Sequence, residues 1–87
     1  MPRALYVNSN TATDDTARRF EEGPKDLHDV ILCIEDNAQL LGDAETQTFP
    51  LAADTYIGIT HIDIAKLYFR NETAGANGTI HVIGVEE

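Results

Sequence analysis

The sequence predicts an all-β fold, a small antiparallel β-sandwich of jelly-roll or immunoglobulin-like type with an N-terminal arm. Three observations carry this. Residues 27–85 hold about six short β-branched segments, each closed by a turn signal. Residues 8–26 are instead polar and charged, with Asn8, Asn10, Thr11, Thr13, Asp14, Asp15, Thr16, Glu21 and Glu22, and end in Gly23-Pro24. The length of 87 residues allows one domain that buries roughly 60% of its unfolded surface, enough for one thin core and too little for a deep cleft. The expected organisation is therefore 1–26 as an arm or peripheral segment and 27–87 as the sandwich body.

The elements follow in order. Ala4 to Val7 fits an extra strand. Asp14 to Glu22 fits a short helix stopped by Gly23, or an extended arm, since only Ala17 and Phe20 are apolar there. Leu27 to Asp36 puts Val30, Leu32 and Ile34 on one face and Ile31 and Cys33 on the other, as in a central strand or one whose second face a partner covers. Asp36-Asn37 is a turn, Gln39 to Leu41 a short strand, and Gly42-Asp43 the next turn. Pro50 confines Thr46 to Leu51 to an edge or a strand end. Thr55 to Ile64 changes phase between Ile59 and Ile62, which calls for a bulge or corner near Thr60-His61. Asp63 caps one helical turn over Ile64-Ala65-Lys66. Leu67 to Arg70 is a strand, and Gly75 with Asn77-Gly78 shapes a loop before the last strand, Thr79 to Val85.

Charge and composition exclude several functions. Fifteen acidic residues stand against six basic ones, a net charge of −9, so there is no basic stripe for phosphate and no nucleic-acid partner is expected. The acidic, lysine-poor balance suits a halophilic setting in which concentrated salt screens self-repulsion. The longest apolar run, Val30 to Ile34, fits neither a membrane span nor a signal peptide, and the chain opens on Met1 without a tag, as a complete small protein would. Cys33 is the only cysteine, which removes intrachain disulfides and CxxC zinc sites; in an apolar strand it reads as a small buried hydrophobe.

No motif points to catalysis. Ser9 is the only serine and has no GxSxG context, and no glycine-rich loop precedes a lysine. His28, His61 and His81 lack the spacing of metal ligands and read as scattered. Glu35, Asp36, Asn37 and Asp43 are turn oxygens without a DxDxDG loop. The expectation is no enzyme, no catalytic residue, no resident metal and no cofactor. Asn71-Glu72-Thr73 and Asn77-Gly78-Thr79 both fit the glycosylation sequon, making Asn71 and Asn77 candidate modification sites.

The apolar surplus is more informative. Ile31 and Cys33 oppose Val30 and Leu32, and Ile83 and Val85 oppose Ile80 and Val82, more than a two-layer sandwich of this size can cover. Ile31, Ile83 and Val85 are thus candidates for an oligomer interface, with Tyr6 and Phe20 as candidate anchors for the arm.

Residues 39–85 carry a resemblance. Gly42-Asp43, Phe49-Pro50-Leu51, Asp63-Ile64-Ala65-Lys66-Leu67-Tyr68, Gly75 to Gly78 and Ile80 to Val85 come in the order seen in small virion structural proteins of tailed bacteriophages and tailed archaeal viruses. The sequence resembles this group, with one departure at Asp54, where such proteins often place glycine after Ala-Ala. In the same grammar Phe49 and Leu51 would plug one end of the core. The resemblance implies a virion structural protein, a capsid decoration or turret subunit that works by oligomeric assembly on the shell. Its partners would be sister subunits and the major capsid or other virion proteins. The rival placements are a head–tail or tail component, or a carbohydrate-binding sandwich module. A metal-dependent enzyme would rest only on the three histidines.

Overall fold

Eight strands run through residues 4–86, the part of the chain that the computed structural model describes. They are β1 (Leu5–Thr11), β2 (Arg18–Arg19), β3 (Asp26–Glu35), β4 (Gln39–Gly42), β5 (Gln47–Leu51), β6 (Tyr56–Asp63), β7 (Tyr68–Asn71) and β8 (Thr79–Glu86), with one 3-10 turn, Ile64–Lys66, before β7. They form two four-stranded antiparallel sheets, β1-β8-β3-β6 and β2-β7-β4-β5, packed as a sandwich.

The core sits between the sheets. Leu27, Val30, Leu32 and Ile34 of β3 and Ile80 and Val82 of β8 meet Leu41, Leu51 and Phe69 of the second sheet. Each such side chain, moved from water to the interior, contributes roughly 1.5–3 kcal/mol. Phe69 lies at the centre, tilted against Phe20 with ring centroids 6.4 Å apart.

The phase change in β6 is present, and β3 mirrors it. Ile57, Ile59 and Ile62 all pack against the core, although Ile59 and Ile62 are three residues apart. Opposite them Leu27 and Val30 are also both buried and three apart. Between them Asp29 takes φ +52°, and the β3–β8 register shifts between His28 and Ile31. One residue is thus inserted in each strand of the β3–β6 pair, which keeps their mutual register while both step past β8.

The turns use aspartate where glycine is common. Asp54 has φ +61° and Asp36 φ +78°, a conformation suited to glycine that aspartate tolerates better than most residues. Gly75 at φ +79° sits in the last loop, and Gly78 leaves no room for a side chain, since a Cβ there would lie 2.2 Å from the Asn37 carbonyl oxygen.

Residues 4–26 do not stand apart from the body, and residues 1–3 of the expected arm lie outside the described residues. β1 pairs with β8 from Leu5 to Thr11, and Tyr6, Ala12 and Phe20 belong to the core. Their side chains alternate inward at Tyr6, Asn8 and Asn10, and the two asparagines bond inside the fold, Asn8 Nδ2 to Tyr6 Oη at 3.2 Å and Asn10 Nδ2 to the Phe20 carbonyl. No helix forms over 14–22. Asp14 Oδ1 accepts from the Thr16 N–H, and Arg18–Arg19 pairs briefly with β7.

Candidate association surface

The outer face of the β1-β8-β3-β6 sheet is built in rows that cross the strands. Register places Leu5, Val85, His28 and His61 in one row and Val7, Ile83, Ile31 and Gly58 in the next. A third holds Ser9, His81, Cys33 and Tyr56. Among the described residues, six large hydrophobics are exposed, and five of them, Leu5, Val7, Ile31, Tyr56 and Ile83, lie on this face, from 41% for Ile83 to 72% for Tyr56. A contiguous apolar patch, unlike scattered single residues, marks a binding surface. No position in these rows is a carboxylate; Asp26 and Glu35 lie at the two ends of β3, and Asp29 in its bulge.

All three histidines stand on this face. His28 and His61 are direct cross-strand partners whose rings stack at 4.5 Å with 8° between planes. Asp26 Oδ1 is 3.7 Å from His61 Nε2. His81 is held differently: its Nδ1 lies 2.7 Å from Ser9 Oγ and its Nε2 2.9 Å from Glu35 Oε1. With the Nε2 proton donated to the carboxylate, Nδ1 accepts from the serine hydroxyl, so the relay fixes the ring across three strands. His81 lies two rows from the other pair, so the three do not converge, and among the described residues no group of three or more His, Cys, Asp or Glu could hold a metal ion.

The expected interface residues divide. Ile31 and Ile83 are exposed register partners at the patch centre, and Val85 is half-buried in the adjoining row. Tyr6 and Phe20 are not available to a neighbour, because both lie in the chain's own core. Cys33 is not a buried hydrophobe but is half-buried on this outer face, opposite His81. Leu5, Val7 and Tyr56 escaped sequence reasoning. The Leu5-Val7 alternation was a signal, hidden by the polar residues that follow.

A second apolar feature lies at the seam between β5 and β6. A hollow of about 280 Å³ opens between Leu32, Leu41, Phe49, Ile57, Ile59 and Leu67. Phe49 does not plug the core end: it shares the strand parity of buried Gln47 and Leu51, yet is 54% exposed across this gap. Leu51 is buried as expected.

The two sequons differ sharply. Asn71 is 3% exposed, its Oδ1 accepts from Gln39 Nε2 at 2.9 Å, and its Nδ2 faces Asp15 Oδ1 at 3.0 Å and Asn77 Oδ1 at 2.7 Å. The folded protein gives no access to that amide. Asn77 is exposed in the loop.

Two groups outside the face tune stability. The Tyr6 phenol is pushed up to about 12 by burial and by its hydrogen bond to Glu21. Asp63 is held below the usual carboxylate range by the Lys25 and Ala65 backbone N–H groups that its Oδ1 accepts, each at 3.0 Å. No protein-family model, curated protein or solved structure matches the chain.

Proposed function

We propose that the protein works by association, as a virion structural protein whose subunits dock on one another through the outer face of the β1-β8-β3-β6 sheet. The observation that carries this is the gathering of five of the six exposed large hydrophobics on that one face. The order of motifs over residues 39–85 supports placing the subunit on a tailed-virus shell, as a decoration or turret component.

Size and charge shape the mechanism. Four strands about 4.8 Å apart make a face roughly 20 Å wide, so three rows cover on the order of 400 Å². A stable pairwise interface needs about 800 Å² on each partner. One contact is therefore weak, and the assembly gains from a closed ring or from a shell that holds subunits side by side. The net charge of −9 opposes contact at low ionic strength, and at 1 M salt a Debye length of about 3 Å removes that opposition.

Light scattering on a sizing column, at low and at multimolar salt, tests the association. A closed oligomer that forms as salt rises supports the reading, and a compact monomer at every salt overturns it. Presence at regular copy number in purified particles tests the virion placement, and absence from particles removes it.

A further inference from the structure

We propose that β6 pairs antiparallel with β6 of a second copy, about a two-fold axis at Gly58. The two seams of the sandwich are unlike. On one side Tyr6 bonds to Glu21, Asn10 to the Phe20 carbonyl and Arg18 to the Thr11 carbonyl, which stitches β1 to the segment around β2. On the other side, among the described residues, no hydrogen bond joins β5 to β6. The apolar hollow lies there, with Phe49 exposed across it.

The four sheet edges differ as well. β2 has only two residues, and β5 carries Pro50. In β1, the bonds from the Glu86 N–H to the Ala4 carbonyl and from the Ala12 N–H to the Gly78 carbonyl fix the phase. Leu5, Val7, Ser9 and Thr11 therefore turn their backbone groups outward. Two of those groups are already taken, the Ser9 N–H by Asn8 Oδ1 at 2.9 Å and the Thr11 carbonyl by Arg18 Nη1 at 2.8 Å. β6 has no such protection. It runs eight residues without proline, and no Asp, Glu, Lys or Arg stands between Tyr56 and Ile62 in a chain of net charge −9. The bond from the Ile34 N–H to the Thr55 carbonyl, 3.2 Å, sets Ile57 and Ile59 toward β3. The N–H and C=O groups of Tyr56 and Gly58 are left facing outward.

A second copy suits this edge. An uncharged strand offers an oppositely charged partner nothing to hold, and it lets two acidic chains meet without opposing like charges. With the axis at Gly58, that glycine lies opposite its twin and Tyr56 lies opposite Thr60. The axis stands perpendicular to the sheet, so the two four-stranded sheets run on as one with both outer faces on the same side. The edge alone, about 26 Å long and about 10 Å deep, is too small to hold a dimer. Its effect is to join two faces of on the order of 400 Å² into the roughly 800 Å² per partner that a stable interface needs. In this the inference rests on the proposed docking face, and the test separates the two.

The test is disulfide trapping in multimolar salt, with diamide as oxidant and Cys33→Ser as background. Opposed Gly58 residues place their Cα atoms about 5.5 Å apart, inside the range a disulfide spans. A Cβ at Gly58 meets only the Val30 carbonyl oxygen, at 3.9 Å, so Gly58→Cys fits the fold. It should cross-link into a covalent dimer, whereas Thr60→Cys, exposed on the same strand but out of register with its twin, should not. Adding Ile31→Thr should remove the oligomer seen by light scattering and leave the Gly58→Cys cross-link. In the wild-type oligomer, with about nine chains in ten assembled, the Tyr56 and Gly58 amides should exchange hydrogen about tenfold more slowly than in the monomer. Equal cross-linking at both positions, none at Gly58→Cys, loss of the cross-link on adding Ile31→Thr, or unchanged exchange at Tyr56 and Gly58 would each overturn the pairing. An oligomer that survives Ile31→Thr with the cross-link intact would support the edge while overturning the face. Circular dichroism of each variant separates loss of pairing from loss of fold.

Discussion

Tyr6 donates its phenol proton to Glu21 Oε2 across 2.6 Å, joining β1 to the segment that precedes β3. Lys25 Nζ lies 5.9 Å from the centre of the same ring and 3.2 Å from Glu86 Oε1. The polar N-terminal stretch is thus fastened through a buried aromatic.

This bond predicts a steep alkaline limb. The Tyr6 phenol titrates at about 12 in the folded chain against 10.0 for the free group. Its stabilisation is fully present below pH 10 and is lost as pH rises through about 12, because the unfolded chain releases the proton first. Denaturant midpoints of Tyr6→Phe should be lower than wild type at pH 8 and should fall less steeply between pH 10 and 12. Parallel curves would mean that Tyr6 does not control the limb.

Asp63 sets part of the acid limb. Its carboxylate is held below the ordinary range mainly by the Lys25 N–H, so its contribution is present above that range and is lost as pH falls through the depressed value. Asp63→Asn should lower the midpoint at neutral pH and flatten its decline on acidification. Equal acid slopes in variant and wild type would exclude this role.

The face and the core should separate by mutation. Ile31→Thr and Ile83→Thr keep β-branching on exposed strand positions, so stability should change by no more than about 0.5 kcal/mol. Both should remove the high-salt oligomer in light scattering. Phe69→Ala, in contrast, should cost about 3–5 kcal/mol in denaturant unfolding. An oligomer that survives both threonine variants would move the interface elsewhere.

Asn71 and Asn77 should part in the same way. Asn71→Ala removes the bonds its buried side chain makes to Gln39 Nε2, Asp15 Oδ1 and Asn77 Oδ1, and should cost about 1–3 kcal/mol. Asn77→Ala should cost less, since the residue is exposed. When the chain is expressed in a glycosylating host, mass spectrometry of the folded fraction should find any glycan on Asn77 alone. A glycan on Asn71 in folded protein would show that the pocket opens.

Much of this was legible in residue order, for particular reasons. Val30, Leu32 and Ile34 alternate cleanly, Asp63 precedes a one-turn cap, and the spacing of Ile59 and Ile62 announced the phase change. β1 was only half-visible because its inward positions include Asn8 and Asn10, whose partners lie on a distant segment. Phe20 looked like an arm anchor because nothing local shows that Phe69 waits for it. Of the proposed face, Ile31, Ile83 and Val85 were readable as surplus. The His28–His61 pair was not, since only strand register brings the two together.

The placement of β8 has a consequence for how the molecule is made. Strand β8 lies inside the first sheet, with β1 on one side and β3 on the other. β1 therefore has no partner in its sheet until residues 79–86 have emerged from the ribosome. The sheet closes by a pairing between strands far apart in sequence, and such topologies fold slowly. During that wait the exposed Leu5-Tyr6-Val7 strand is the segment most open to wrong partners.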